Sequence, residues 1–151
     1  MEKLAALCAL CCCGLGNEYP EELDRLFLEN PDDDFLLELE NLGGDCAAAW
    51  ARISPYLMTA DINEFGMVLL GRLEEIYRSD KITLREFGVR CGKLWSALPE
   101  KFDHKEPFVM LCYADEPLSW GDEEQSRELF QSMFDYYRKE MGVKGKSKTQ
   151  A

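Results

Sequence analysis

Histidine is almost missing from this chain: His104 is the only one in 151 residues. That scarcity removes most catalytic arrangements that need an imidazole as base or ligand. A Ser/His/Asp or Cys/His set would have to be built on His104, which lies between Asp103 and Lys105 in a loop, where a solvated side chain is the expected role. A di-iron or di-manganese bundle takes a Glu-x-x-His pair from each of two helices, and here Lys101 stands three residues before the lone histidine. The phosphate-binding G-x-x-x-x-G-K-[ST], the dinucleotide fingerprint G-x-G-x-x-G, the metalloprotease H-E-x-x-H and the nucleophile elbow G-x-S-x-G are absent as well. No cofactor, bound metal or catalytic residue is expected from the sequence.

Positive charge is the second shortage. Seventeen Lys and Arg face 29 Asp and Glu, a net charge of -12. Binding nucleic acid by neutralising phosphates needs a clustered cationic surface, so that partner is not expected; a basic protein is the better electrostatic match. Long apolar runs are missing too. The first sixteen residues, MEKLAALCALCCCGLG, imitate a secretory signal, but they carry one Lys beside one Glu, offer no small-x-small cleavage site and are too short to cross a bilayer. They are expected to form a helix ended by Gly14, with no membrane partner. Disulfide signatures are also lacking. The seven cysteines are odd in number, and Cys8, Cys11, Cys12 and Cys13 crowd one helix where they pair poorly with each other, which suits a reducing cytoplasm.

What is present is helix, with strand signals nearly absent. Hydrophobic residues at 46% and charged residues at 30% are ordinary globular values. Pro20, Glu21 and Glu22 open one helix with Leu23, Leu26 and Phe27 as its stripe, stopped by Asn30-Pro31. Asp32-Asp33-Asp34 leads into Phe35, Leu36, Leu39 and Leu42, and Asp45 caps a further helix bearing Cys46, Ala49, Trp50 and Ile53. Asp61 with Glu64, Thr83 with Glu86, and Asp122 with Gln125 stand at capping-box spacing. The short gap at 79–82 predicts that the 61–78 and 83–98 helices form an antiparallel hairpin with facing stripes, where Gly66 and Gly88 allow close contact. Residues 108–113 are expected to be a short buried helix. The last long helix, 122–141, carries Phe130, Met133, Phe134, Tyr137 and Met141. The expected fold is all-α, a single-domain bundle of six or seven helices over 1–142 with a mobile basic tail at 143–151.

Charge is placed unevenly along this frame. Residues 18–45 hold eleven acids against Arg25 alone, a net of -10, while residues 46–114 balance. Two readings fit these acids: they cap helices, favour N-terminal dipoles and keep an outward face solvated, or they form a focused negative patch expected to dock a basic protein. The residues expected to meet that partner are Glu21, Glu22, Asp24, Asp32, Asp33, Asp34 and Glu38. Calcium does not suit the Asp32-Asp33-Asp34 run, which proceeds straight into Phe35 without the alternating ligands and glycine of an EF-hand. Cys8, Cys11 and Cys12 share one helix face; core packing is the expected role, with thiolate ligation of a soft metal as the rival. Trp120, just before the Asp122 cap, is either a hydrophobic staple on the last helix or an interface anchor.

The functional expectation is a non-catalytic acidic interaction module. In its overall character, small, acidic, histidine-poor and without motifs, the chain resembles bacterial immunity and antitoxin-type inhibitors. That resemblance implies masking of the basic active cleft of a toxin, here through residues 18–45. The alternatives are a homo-oligomer or complex subunit that buries the N-terminal Leu/Cys helix, and a small metal-dependent hydrolase.

Overall fold

Most of the longer helices begin at a residue whose side chain accepts a hydrogen bond from the open first turn, where the backbone N–H groups lack intrahelical partners. In the computed structural model, which describes residues 1–143 with side chains to Glu140, these helices are α1 (Glu2–Cys12), α2 (Tyr19–Glu29), α3 (Asp34–Asn41), α4 (Cys46–Ile53), α5 (Ile62–Ser79), α6 (Leu84–Ala97), α7 (Glu100–Asp103), α8 (Met110–Tyr113) and α9 (Glu123–Tyr136). Short 3-10 turns cover Ser54–Met58 and Glu116–Trp120. The described residues contain no strand, so the fold is all-helical. The α-helical segments outnumber the six or seven expected, because the chain between α6 and α9 breaks into single turns too brief for an apolar period to register. The tail at 144–151 and the side chain of Met141 lie outside the described residues.

The caps are those the sequence announces. Asp33 Oδ1 accepts from the N–H groups of Phe35 and Leu36, Asp45 from Ala48, Asp61 from Asn63 and Glu64, Thr83 from Glu86, and Asp122 from Gln125. At Thr83 the return arm of the expected box is diverted, since the Glu86 carboxylate holds Arg90 one turn on. The first helix closes with a Schellman motif. Gly14, at φ +73°, donates to the Cys11 carbonyl and Leu15 donates to the Leu10 carbonyl, with Leu10 and Leu15 both buried beside the turn.

An α-helix that is apolar all round has no face to give to water and belongs inside. Leu4, Ala5, Ala6, Leu7, Cys8, Ala9 and Leu10 are all buried, and α1 packs against α2, α4, α5 and α6. The alternative of a subunit interface on the Leu/Cys helix therefore meets a helix already covered by its own chain. This insertion also corrects the expected α5–α6 hairpin. The stripe of α5 lies on α1 rather than along α6, and the two helices approach where Tyr77 meets Phe87, 5.4 Å between ring centroids.

Two aromatic groups tie the later helices together. Phe87, Phe130 and Phe134 surround Tyr77, joining α5, α6 and α9, with Phe87 and Phe130 edge to face at 5.1 Å. Phe65, Phe102 and Phe108 gather where α5 meets the 99–109 segment. Two of the three indole N–H groups are satisfied from the same region: Trp50 donates to the Ala97 carbonyl and Trp95 to that of Asp103. The last helix is α-helical only to Tyr136, and a π-helical stretch over Tyr137–Val143 replaces the expected continuation to 141. There Tyr137 lies over Gly71, and Arg138 joins Arg78 on the carboxylate of Glu74.

Gly88 meets its expectation of close approach, although its neighbour, Asp115, lies two residues beyond the end of α8. A β-carbon there would lie 2.5 Å from Cβ of Asp115. Gly88→Ala gains about 1 kcal/mol of helix propensity, yet the clash with a fixed Cβ is expected to leave a net loss of about 1–2 kcal/mol in urea unfolding. An unchanged or raised midpoint would contradict this packing.

Candidate functional site

The acidic segment folds into α2, the Asn30–Asp33 turn and α3, which pack on each other, while α2 also rests on α1. Its carboxylates divide into those the chain uses and those it leaves over. Glu22 is in the first group. It is only 7% exposed, and both its oxygens are held by Arg25, with Lys3 of α1 3.5 Å away. The Arg25 guanidinium, ahead of the opposing effect of burial, holds the Glu22 carboxyl below the usual range. Glu22 is therefore taken up inside the chain and is not presented to a partner. Asp33 is exposed but occupied as the cap of α3. Glu38 pairs with Arg52 at 3.1 Å, Glu29 with Arg25 at 2.8 Å and Glu18 with Arg72 at 3.0 Å, all on the surface.

Glu21, Asp24, Asp32, Asp34 and Glu40 make no ion pair with a described residue. The first four are exposed, and Glu40 is half-buried. Asp24 of α2 lies near Glu40 of α3, where the two helices pack on each other. Burial first, then the hydrogen bond with Asp24, pushes the Glu40 carboxyl above its ordinary range. A raised folded value means that protonating Glu40 favours the fold. Its contribution is complete below the unfolded value and is lost as pH rises through the folded one. Glu40→Gln is accordingly expected to be more stable than the parent at pH 7, with the difference closing by about pH 4 in thermal melts at stepped pH. A difference that widened towards acid would contradict the pair.

Two leucines stand among these acids on the solvent side. Leu28 is 80% exposed and Leu37 is 43% exposed. Their positions were open to sequence arithmetic, because Leu28 falls off the 23, 26, 27 stripe of α2 and Leu37 off the 35, 36, 39 stripe of α3. Trp120 is elsewhere. It closes the Glu116–Trp120 turn, which packs on α9, and the structure does not bring it to α2 and α3. At 63% exposure it makes no staple, because Gly121 at φ +83° swings the chain away before the Asp122 cap. Trp120→Ala is therefore expected to change unfolding free energy by no more than about 0.5 kcal/mol; a loss of several kcal/mol would restore the staple.

The remaining reactive groups lie apart. His104 is exposed, its Nε2 3.4 Å from Oδ1 of Asp103. Cys8, Cys11 and Cys12 face the start of α4, a neighbour that sequence distance concealed. Cys12 Sγ donates to the Cys46 carbonyl oxygen at 3.0 Å, and Cys8 Sγ lies 3.7 Å from the same oxygen. Burial above all pushes the Cys8 thiol far up, Cys11 up to about 12 and Cys13 up to about 11, which keeps them protonated at neutral pH. Among the described residues no group of three or more His, Cys, Asp or Glu side chains is arranged to hold a metal ion, and no helix is long and apolar enough to cross a membrane. No protein-family model, curated protein or solved structure matches the chain.

Proposed function

We propose that the chain is a non-catalytic interaction protein that docks a basic protein on its α2–α3 surface, as the immunity and antitoxin-type inhibitors whose character it resembles dock theirs. The observation that carries this reading is the Asp24 carboxylate, exposed on α2 and without an ion pair to any described residue. Glu21, Asp32 and Asp34 add unpaired charge to the same helix pair. Leu28 and Leu37 supply apolar area that a partner gains by covering, at roughly 25 cal/mol per Å². Charge steers the encounter and the leucines hold it.

The experiment is affinity recovery from the source cells with the tagged full chain, beside an Asp24→Asn, Asp32→Asn, Asp34→Asn triple variant and a Leu28→Ser variant. Both variants alter exposed residues and should remain folded by circular dichroism. A basic protein retained by the parent, and lost from the triple variant and at high salt, supports the reading. Recovery of nothing beyond the chain itself, or equal recovery by parent and triple variant, contradicts it.

A further inference from the structure

Away from α2 and α3, the chain carries a second stretch of uncompensated charge around Trp120. Residues 115–128 hold six acids against Arg127 alone, a net of -5. Asp122 caps α9, Glu123 pairs with Arg127 at 2.7 Å, and Asp115 is half-buried beside Gly88. Glu116, Glu124 and Glu128 are exposed and make no ion pair with a described residue. Glu116 opens the turn that Trp120 closes, and Glu124 and Glu128 stand one turn apart on the helix that follows.

The backbone beneath Trp120 is well fixed. Pro117 is buried, its carbonyl accepts from the Asp122 N–H at 2.9 Å, and the Leu118 carbonyl accepts from the Gly121 N–H at 3.2 Å and from Arg85 of α6 at 3.4 Å. Ser119 Oγ donates to the Glu116 carbonyl at 2.7 Å, and the buried Ser126 hydroxyl ties α9 to the Ala114 carbonyl. The indole on this turn is nonetheless left over. Among the described residues no aromatic ring or cation lies over it, and its N–H makes no hydrogen bond, unlike those of Trp50 and Trp95. A tryptophan held outward on a braced turn has little freedom left to lose when a partner covers it.

We propose that Trp120, with Glu116, Glu124 and Glu128 as its acidic frame, is a docking site for an arginine side chain on a basic segment of another protein. A guanidinium is flat, permanently charged and weakly hydrated, so it stacks on an indole face while its N–H groups reach a carboxylate. An ammonium stacks less well. A second copy of this chain does not fit, because a self-complementary contact would set these carboxylates against one another. The site shares with the α2–α3 surface a liking for basic partners and none of its residues, so the two are tested apart.

The test titrates the isotope-labelled full chain at low salt with N-acetylated tetra-arginine amide, and separately with the tetra-lysine peptide, while the three indole N–H signals and the backbone amides are followed by nuclear magnetic resonance. The Trp120 signal is expected to shift to saturation with the amides of residues 118–124, whereas the Trp50 and Trp95 signals stay in place. Tetra-lysine is expected to bind there at least about twofold more weakly. Trp120→Ala, a change at an exposed position, is expected to weaken tetra-arginine binding about two- to fivefold at the amides of residues 121–124. An unmoved Trp120 signal, equal affinity for the two peptides, or unchanged affinity in the variant would each overturn the proposal. Shifts confined to residues 18–45 would overturn this site and spare the α2–α3 surface; a response at Trp120 with residues 18–45 unmoved would support it and count against that surface.

Discussion

Replacing Phe130 with alanine is expected to lower the free energy of unfolding by about 3–5 kcal/mol. Phe130 has no exposed surface and is the α9 side chain that meets both Tyr77 of α5 and Phe87 of α6, at 5.8 and 5.1 Å between ring centroids. Its removal takes the transfer energy of the ring and the edge-to-face contact at once, and leaves a void whose lining comes from three helices that cannot all close inward. Urea unfolding followed by far-ultraviolet circular dichroism measures the loss. A cost below about 1 kcal/mol would mean that α9 is not anchored as described.

Leu4→Ala in α1 is expected to cost about 2–5 kcal/mol. Leu4 is fully buried in a helix covered by α2, α4, α5 and α6, so the cavity opens in the centre of the chain. This substitution separates two readings of the N-terminal helix. A core helix loses stability whatever the protein concentration, whereas a subunit interface loses its association and makes the melting temperature depend on concentration. Melting temperatures at stepped concentrations should show a uniform downward shift.

How far the sequence foretold this molecule depends on how local the deciding interaction is. Asp33, Asp45, Asp61, Thr83 and Asp122 are caps by virtue of a side chain and an N–H two or three residues away, so five helix starts were legible. The relation between α5 and α6 was not. An apolar stripe says that a face is covered but not by what, and the cover for α5 is α1, which enters from the far end of the chain. The acidic segment was legible as a quantity of charge. The capture of Glu22 was partly so, since Arg25 follows at helical spacing, but Lys3 reaches it from another helix. The nearness of Asp24 to Glu40 and the meeting of Cys46 with the α1 cysteines depend on tertiary packing alone. From the sequence Trp120 could be a staple or an interface anchor; the left-handed turn at Gly121 leaves it exposed, which only tertiary geometry decides.

The central claim is that uncompensated carboxylates on α2 and α3 steer a basic partner. The most direct measurement is the association rate of the full chain with the basic protein recovered on it, followed across ionic strength for the parent and for the Asp24→Asn, Asp32→Asn, Asp34→Asn variant. The account predicts a rate for the parent that falls at least about tenfold between 10 and 150 mM salt, as the screening length shrinks from about 30 to 8 Å, and a variant that starts slower and depends less on salt. Equal rates for the two proteins, unchanged by salt, would contradict it.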